Sequence, residues 1–208
     1  MSYDILDDKD QKARIDDCLT CIQEAKQCIK QAELKRKENL QYKSILFENG
    51  DNLVEGVFRI LEAILDIDLS QFQDEKNEDF LIYYDSITFI GDIKGISTNI
   101  KSENISQVER HYQTYQDKLQ EEGRQETVKQ LLIINPLRNK PPDQRDPVHE
   151  IQINLARRNG CLIITTEILL KIFERFRNHE TSTTDIKNVF STEVGLLSMD
   201  AFETMKKS

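Results

Sequence analysis

Glu78-Asp79-Phe80-Leu81-Ile82-Tyr83-Tyr84-Asp85-Ser86-Ile87-Thr88-Phe89-Ile90-Gly91-Asp92-Ile93-Lys94-Gly95 reads as two apolar strands joined by a tight turn. A turn centred on Asp85 and Ser86 pairs Tyr84 with Ile87 and, counting back, Asp79 with Asp92. Residues two apart on a strand share a face, so Lys94 projects on the same side as Asp92, beside Thr88 and Ile90. Two carboxylates and an ammonium thus converge at one end of the hairpin. Like charges opposed on neighbouring strands are destabilising unless neutralised, and a hard divalent cation held by carboxylate oxygens does that.

An acid, about a dozen residues, and then Asp/Glu-x-Lys at the end of a strand resembles the signature of the PD-(D/E)xK phosphodiesterase superfamily. Here the motif is Asp79 followed by Asp92-Ile93-Lys94-Gly95. The resemblance runs over residues 45 to 178. It takes in a helix carrying Glu55, a helix carrying Gln107, the strand Leu131-Leu-Ile-Ile-Asn135, and Asn154-Leu-Ala-Arg-Arg-Asn-Gly-Cys-Leu-Ile-Ile-Thr-Thr166 with the helix from Glu167. Glu78 replaces the proline of the name, and Asp92 stands where many members carry glutamate. The resemblance implies an α/β, restriction-endonuclease-like fold, a mixed central sheet flanked by helices. It implies a Mg²⁺-dependent nuclease, with Mn²⁺ a possible substitute. Asp79, Asp92, the Ile93 carbonyl and Glu55 would be metal ligands, Lys94 would stabilise charge at phosphorus, and Gln107 would be the active-site glutamine. The substrate would be DNA, with RNA not excluded, in prokaryotic restriction, repair or defence.

Each of these residues also has a local role. Asp92 and Lys94 suit an exposed cross-strand charge cluster. Asn52 and Glu55 have the spacing of a helix-start capping arrangement, and Glu55 with Arg59 that of an i, i+4 pair. Gln107 suits the polar face of a surface helix.

The 208 residues suffice for one full core. The expected division is a helical, coiled-coil segment over 1–46, a nuclease-like domain over 47–178 and a C-terminal helix and tail over 179–208. No apolar run has the length of a membrane span, and the acidic start, Asp4 to Asp10, is unlike a signal peptide, so a cytoplasmic protein is expected. Cys18, Cys21 and Cys28 lie on one predicted helix that cannot bridge them, with no fourth ligand nearby for zinc. In that helix Ile15, Cys18, Ile22, Ala25, Ile29 and Ala32 alternate by three and four, a heptad seam that seeks a partner. Either it pairs with a second copy or a partner subunit, or it folds onto its own domain; a homodimer is the expectation, with Ile45, Leu46 and Phe47 docking on the core.

Beyond the hairpin, the sequence predicts a helix from Ile105 to about Gly123 and a strand over Val128–Asn135, continuously apolar as in a strand covered on both faces. A proline-rich loop over 136–147, a helix over Val148–Arg158, a strand over Cys161–Thr165 and a helix over Glu167–Asn178 follow, then a short helix near 185–194. The formal charge of −9 opposes tight sequence-independent binding to a polyanion. Lys101, Arg138, Lys140, Arg145, Arg157 and Arg158 form the expected basic groove. The competing expectation is a catalytically inactive nuclease-fold module serving protein assembly or acting as a subunit of a larger nucleic-acid complex.

If the seam of Ile15, Ile22 and Ile29 joins two copies, Ile22→Lys with Ile29→Lys converts a dimer into a monomer, read by sedimentation, while the core stays folded. A wild-type chain that already sediments as a monomer removes the dimer.

Overall fold

A computed structural model describes residues 6–69, 80–84 and 87–205. The chain divides into two compact units, residues 1–41 and 42–208. The first is formed by helix α1 (Asp8–Lys43), whose last two residues belong to the second unit. No residue of α1 is buried. Ile15, Ile22 and Ile29 of the seam are 57%, 49% and 59% exposed.

The second unit is α/β. Helix α2 (Gly50–Leu65) leads into strands β1 (Phe80–Tyr84) and β2 (Ile87–Gly95), then α3 (Ser102–Glu121), β3 (Thr127–Asn135), α4 (Glu150–Asn159) and β4 (Cys161–Thr165). Helices α5 (Thr166–Arg177) and α6 (Thr183–Thr192), the two-residue strand β5 (Gly195–Leu196) and α7 (Met199–Met205) complete it. The sheet order is β1-β2-β3-β4-β5. β1 is antiparallel to β2, and the remaining pairs are parallel, making a mixed sheet.

The hairpin has the register its sequence predicts: Tyr84 pairs with Ile87 and Phe80 with Gly91. Asp79, Glu78, Asp85 and Ser86 lie outside the described residues. Alternation then divides the strands between two cores. Phe89, Ile93, Leu131, Ile133, Leu162 and Ile164 face the larger one, with residues of α2, α5 and α6. Leu132, Ile134, Cys161 and Ile163 face a second, under α3 and α4, and Ile90 packs with Tyr115 and Leu119 of α3. β3 is apolar on both faces because both are covered.

Three expectations are corrected. Ile45 is fully buried, but Phe47 is 54% exposed, because the chain turns outward through a 3-10 turn at Ser44–Leu46 before α2 begins. Residues 179–208 are not merely a helix and tail: Ile186, Val189, Phe190, Leu197 and Phe202 join the main core, and β5 pairs with β4. Asn52 lies inside the first turn of α2, whose N-cap is Asn49, and it donates to Glu48 Oε2 at 3.4 Å.

Gly91 permits a close approach between strands. A Cβ there would stand 1.7 Å from the Leu131 carbonyl oxygen and 2.8 Å from Phe80 Cζ. Relief would require moving strands, so Gly91→Ala is expected to cost about 3 kcal/mol or more of unfolding free energy in urea melts. A loss under about 1 kcal/mol would contradict this packing.

The fourth cysteine, Cys161, is buried on β4, and Cys18, Cys21 and Cys28 are exposed. Burial, with Glu109 and Asp92 nearby, pushes the Cys161 thiol up to about 12. The thiolate is the reactive form, so at pH 8 a disulfide reagent should titrate three thiols in the native chain and the fourth only after denaturation.

Candidate functional site

The site begins with the pleat of β2. Thr88, Ile90, Asp92 and Lys94 share the face under α3, and Ile90 is wholly buried. Lys94 lies nearer the carboxyl end of β2 than Asp92, and its side chain reaches back so that Nζ stands 3.1 Å from Asp92 Oδ2. Gly95 follows it. A Cβ at Gly95 would lie 2.5 Å from the Glu48 carbonyl oxygen, so the glycine lets the chain entering α2 pass close beside the end of β2.

Helix α3 supplies the other half. Its position on the sheet is set by hydrogen bonds away from the site. The buried Gln130 donates from Nε2 to Glu109 Oε2 and to the Asn159 carbonyl, both at 2.9 Å. Tyr115 Oη and Thr88 Oγ1 each donate to Glu126 Oε2 at 2.9 Å. Burial raises the Tyr115 phenol well above its ordinary range, and Thr88, Tyr115 and Arg124 lower the Glu126 carboxyl. So seated, α3 presents Gln107 and His111, one helical turn apart, to β2. Lys94 Nζ donates to Gln107 Oε1, and His111 Nδ1 stands 3.1 Å from Asp92 Oδ1.

Asp92 is 0% exposed, Lys94 22% and His111 13% at the side chain. The two contacts to the carboxylate are close but not aligned as hydrogen bonds. Among the described residues, neither Asp92 oxygen nor His111 Nδ1 has a hydrogen-bond partner. A buried ionised carboxylate is costly unless paired and hydrogen-bonded, and here it is paired by proximity alone. Its oxygens therefore keep lone pairs with which to accept a hydrogen bond or ligate a cation. No group of three or more His, Cys, Asp or Glu side chains suited to a metal occurs among the described residues. Those residues offer Asp92 and His111.

The structure thus brings Asp92, Lys94 and Gln107 together and adds His111, which sequence reasoning passed over. The available signal was its i, i+4 spacing from Gln107. Glu55 is not part of this group. It lies on α2, which packs on the opposite face of the sheet with Phe89 and Ile93, and it forms the i, i+4 ion pair with Arg59 at 66% exposure. The Ile93 side chain also points into that opposite core.

The six basic residues divide. Arg145 is structural. Its Nη1 donates to Asn135 Oδ1 at 2.8 Å, its Nε to the Lys140 carbonyl at 3.1 Å and its Nη2 to the Leu46 carbonyl. Burial lowers its pKa and Glu167 opposes the shift. Lys140 pairs with Asp146 at 2.8 Å and Arg157 with Glu150 at 3.2 Å. Lys101 and Arg158 are exposed, and Arg138 is half-buried. No helix among the described residues is long and apolar enough to cross a membrane.

Compared with family models, with curated proteins and with solved structures, the chain finds no match.

Removing the countercharge of a buried carboxylate is expensive, whereas an exposed i, i+4 pair contributes little. Lys94→Met is therefore expected to lower unfolding free energy by about 2 kcal/mol or more in metal-free buffer. Glu55→Ala should change it by less than about 0.5 kcal/mol. Equal effects in urea melts would deny Asp92 its buried charge.

Proposed function

We propose that this chain is a metal-dependent phosphodiesterase of the restriction-endonuclease-like fold that cleaves nucleic acid, DNA in the first instance. One observation carries the reading. Asp92 is a wholly buried carboxylate without hydrogen-bond partners among the described residues, and Lys94, on the same strand face, has its ammonium held by Gln107 of the next helix. Mg²⁺ takes only one or two protein carboxylates and keeps several waters, which Asp92 meets from the described residues, with Asp79 proposed as the second. When bound, the ion lowers the pKa of water and offsets charge on the departing oxygen.

The chain's own residues do the rest. Asp92 fixes where positive charge collects. Lys94, whose Nζ stands 3.1 Å from that carboxylate, stabilises the charge developing on the phosphoryl oxygens and orients the attacking water. Gln107 holds the ammonium in place, so that little reorganisation is needed as charge develops. Lys101 and Arg158, exposed and near the ends of their helices, would contact phosphates and position the strand without performing chemistry.

A second reading is a non-catalytic assembly module. It draws on the 36-residue α1, which buries none of its residues, and on the net charge of −9.

Nicking of supercoiled plasmid with Mg²⁺ or Mn²⁺, against EDTA, decides between them. For the enzyme, Lys94→Met should bind the ion nearly as wild type and cut at least about 100-fold more slowly, about 3 kcal/mol of transition-state stabilisation. Metal-dependent cleavage absent on plasmid, linear, single-stranded and RNA substrates would favour the assembly role.

A further inference from the structure

The histidine beside Asp92 has no part in that mechanism, yet its Nδ1 is buried against the carboxylate. Its Nδ1 stands 3.1 Å from Asp92 Oδ1. Both atoms are buried, and neither has a hydrogen-bond partner among the described residues. An imidazolium donating to a carboxylate at this distance would be aligned along its N–H bond, and this pair is not. The separation fits a different relation. Two ligand atoms about 2.1 Å from one ion and at right angles stand about 3.0 Å apart.

We propose that His111 Nδ1 joins Asp92 in holding the divalent cation, so that the centre has an imidazole as well as carboxylate donors and selects a first-row transition ion over Mg²⁺. The inference rests on the metal site of the nuclease reading. Mg²⁺ favours oxygen donors, whereas imidazole suits transition ions. His111 comes from α3, the crossover helix, and Asp92 from β2, so the ion would also tie the helix to the strand. The arrangement leaves Lys94 its separate hold on Gln107.

The test uses the full chain, stripped with EDTA, with binding of Mn²⁺ followed by the resonance of the unbound ion and Mg²⁺ measured by competition. Mn²⁺ is the weakest binder of the transition series, so the selectivity it reports is a lower bound. Wild type is expected to bind Mn²⁺ at least about tenfold more tightly than Mg²⁺, and His111→Gln to lose at least about tenfold for Mn²⁺ but less than about threefold for Mg²⁺. Unchanged Mn²⁺ affinity in His111→Gln, or an equal loss for both ions, overturns the proposal.

A second measurement needs no variant. Spin-echo modulation from a directly coordinated imidazole nitrogen is expected in Mn²⁺-loaded wild type, and its absence overturns the assignment. If wild type binds neither ion, the metal reading of the site fails and the histidine's role with it. If Asp92→Asn abolishes binding of both ions while His111→Gln alters neither, the metal site stands and only the histidine's part falls.

Discussion

A carboxylate buried beneath a crossover helix is the constraint to which the rest of the core unit is fitted. Asp92 has no exposed surface, and an isolated ionised carboxylate in such a place costs several kcal/mol. The countercharge comes from Lys94 along the same strand, and His111 Nδ1 approaches from α3, each at 3.1 Å. A displacement of α3 by one residue would carry His111 off the carboxylate. The hydrogen bonds from Gln130 to Glu109 and from Tyr115 and Thr88 to Glu126 therefore act on the site although they do not touch it.

The position of Lys94 is settled by competition. An ammonium has three donors and a flexible stem, and alone it would turn toward water or collapse onto Asp92. Gln107 accepts from it, and Asp92 Oδ2 lies close by. With 22% of its side chain exposed, the lysine sits at the rim, where it meets solvent on one side and the buried carboxylate on the other. Asp92 and Lys94 thus have different surroundings although they are two residues apart. The carboxylate is enclosed, and the ammonium stays in reach of a substrate.

What could be read from the chain follows the range of the forces involved. The hairpin register follows from turn length and alternation, both local, and the pairing of Phe80 with Gly91 agrees with it. β3 and β4 are legible because strands covered on both faces read as continuous apolar runs. The two-residue β5 has no periodicity to detect, and the core positions Phe190, Leu197 and Phe202 are spaced by turns rather than by a repeat. His111 was hidden for another reason: which strand residue lies beneath it depends on where α3 comes to rest. Arg145 is more distant still, since it holds the Leu46 carbonyl across 99 positions of sequence. Glu55 had a local partner all along in Arg59, and the structure uses it.

These long-range assignments alter the electrostatic argument for a polyanionic substrate. Non-specific affinity scales with the phosphates neutralised, through the counterions released. Arg145 is bound to backbone and Asn135, Lys140 faces Asp146 and Arg157 faces Glu150, so half of the expected basic groove already has partners. Exposed ion pairs are weak, and Lys140 and Arg157 can exchange an acid for a phosphate at little cost. Arg145 cannot, because releasing it would leave the buried Asn135 and the Leu46 carbonyl without their donor. A chain with a net charge of −9 and half of its expected groove cations already engaged gains more from presenting two such surfaces at once than from strengthening one. For the nuclease proposed here, the open isoleucine seam of α1 and the weak basic surface of the core unit then become parts of one argument, since pairing through the first would double the second.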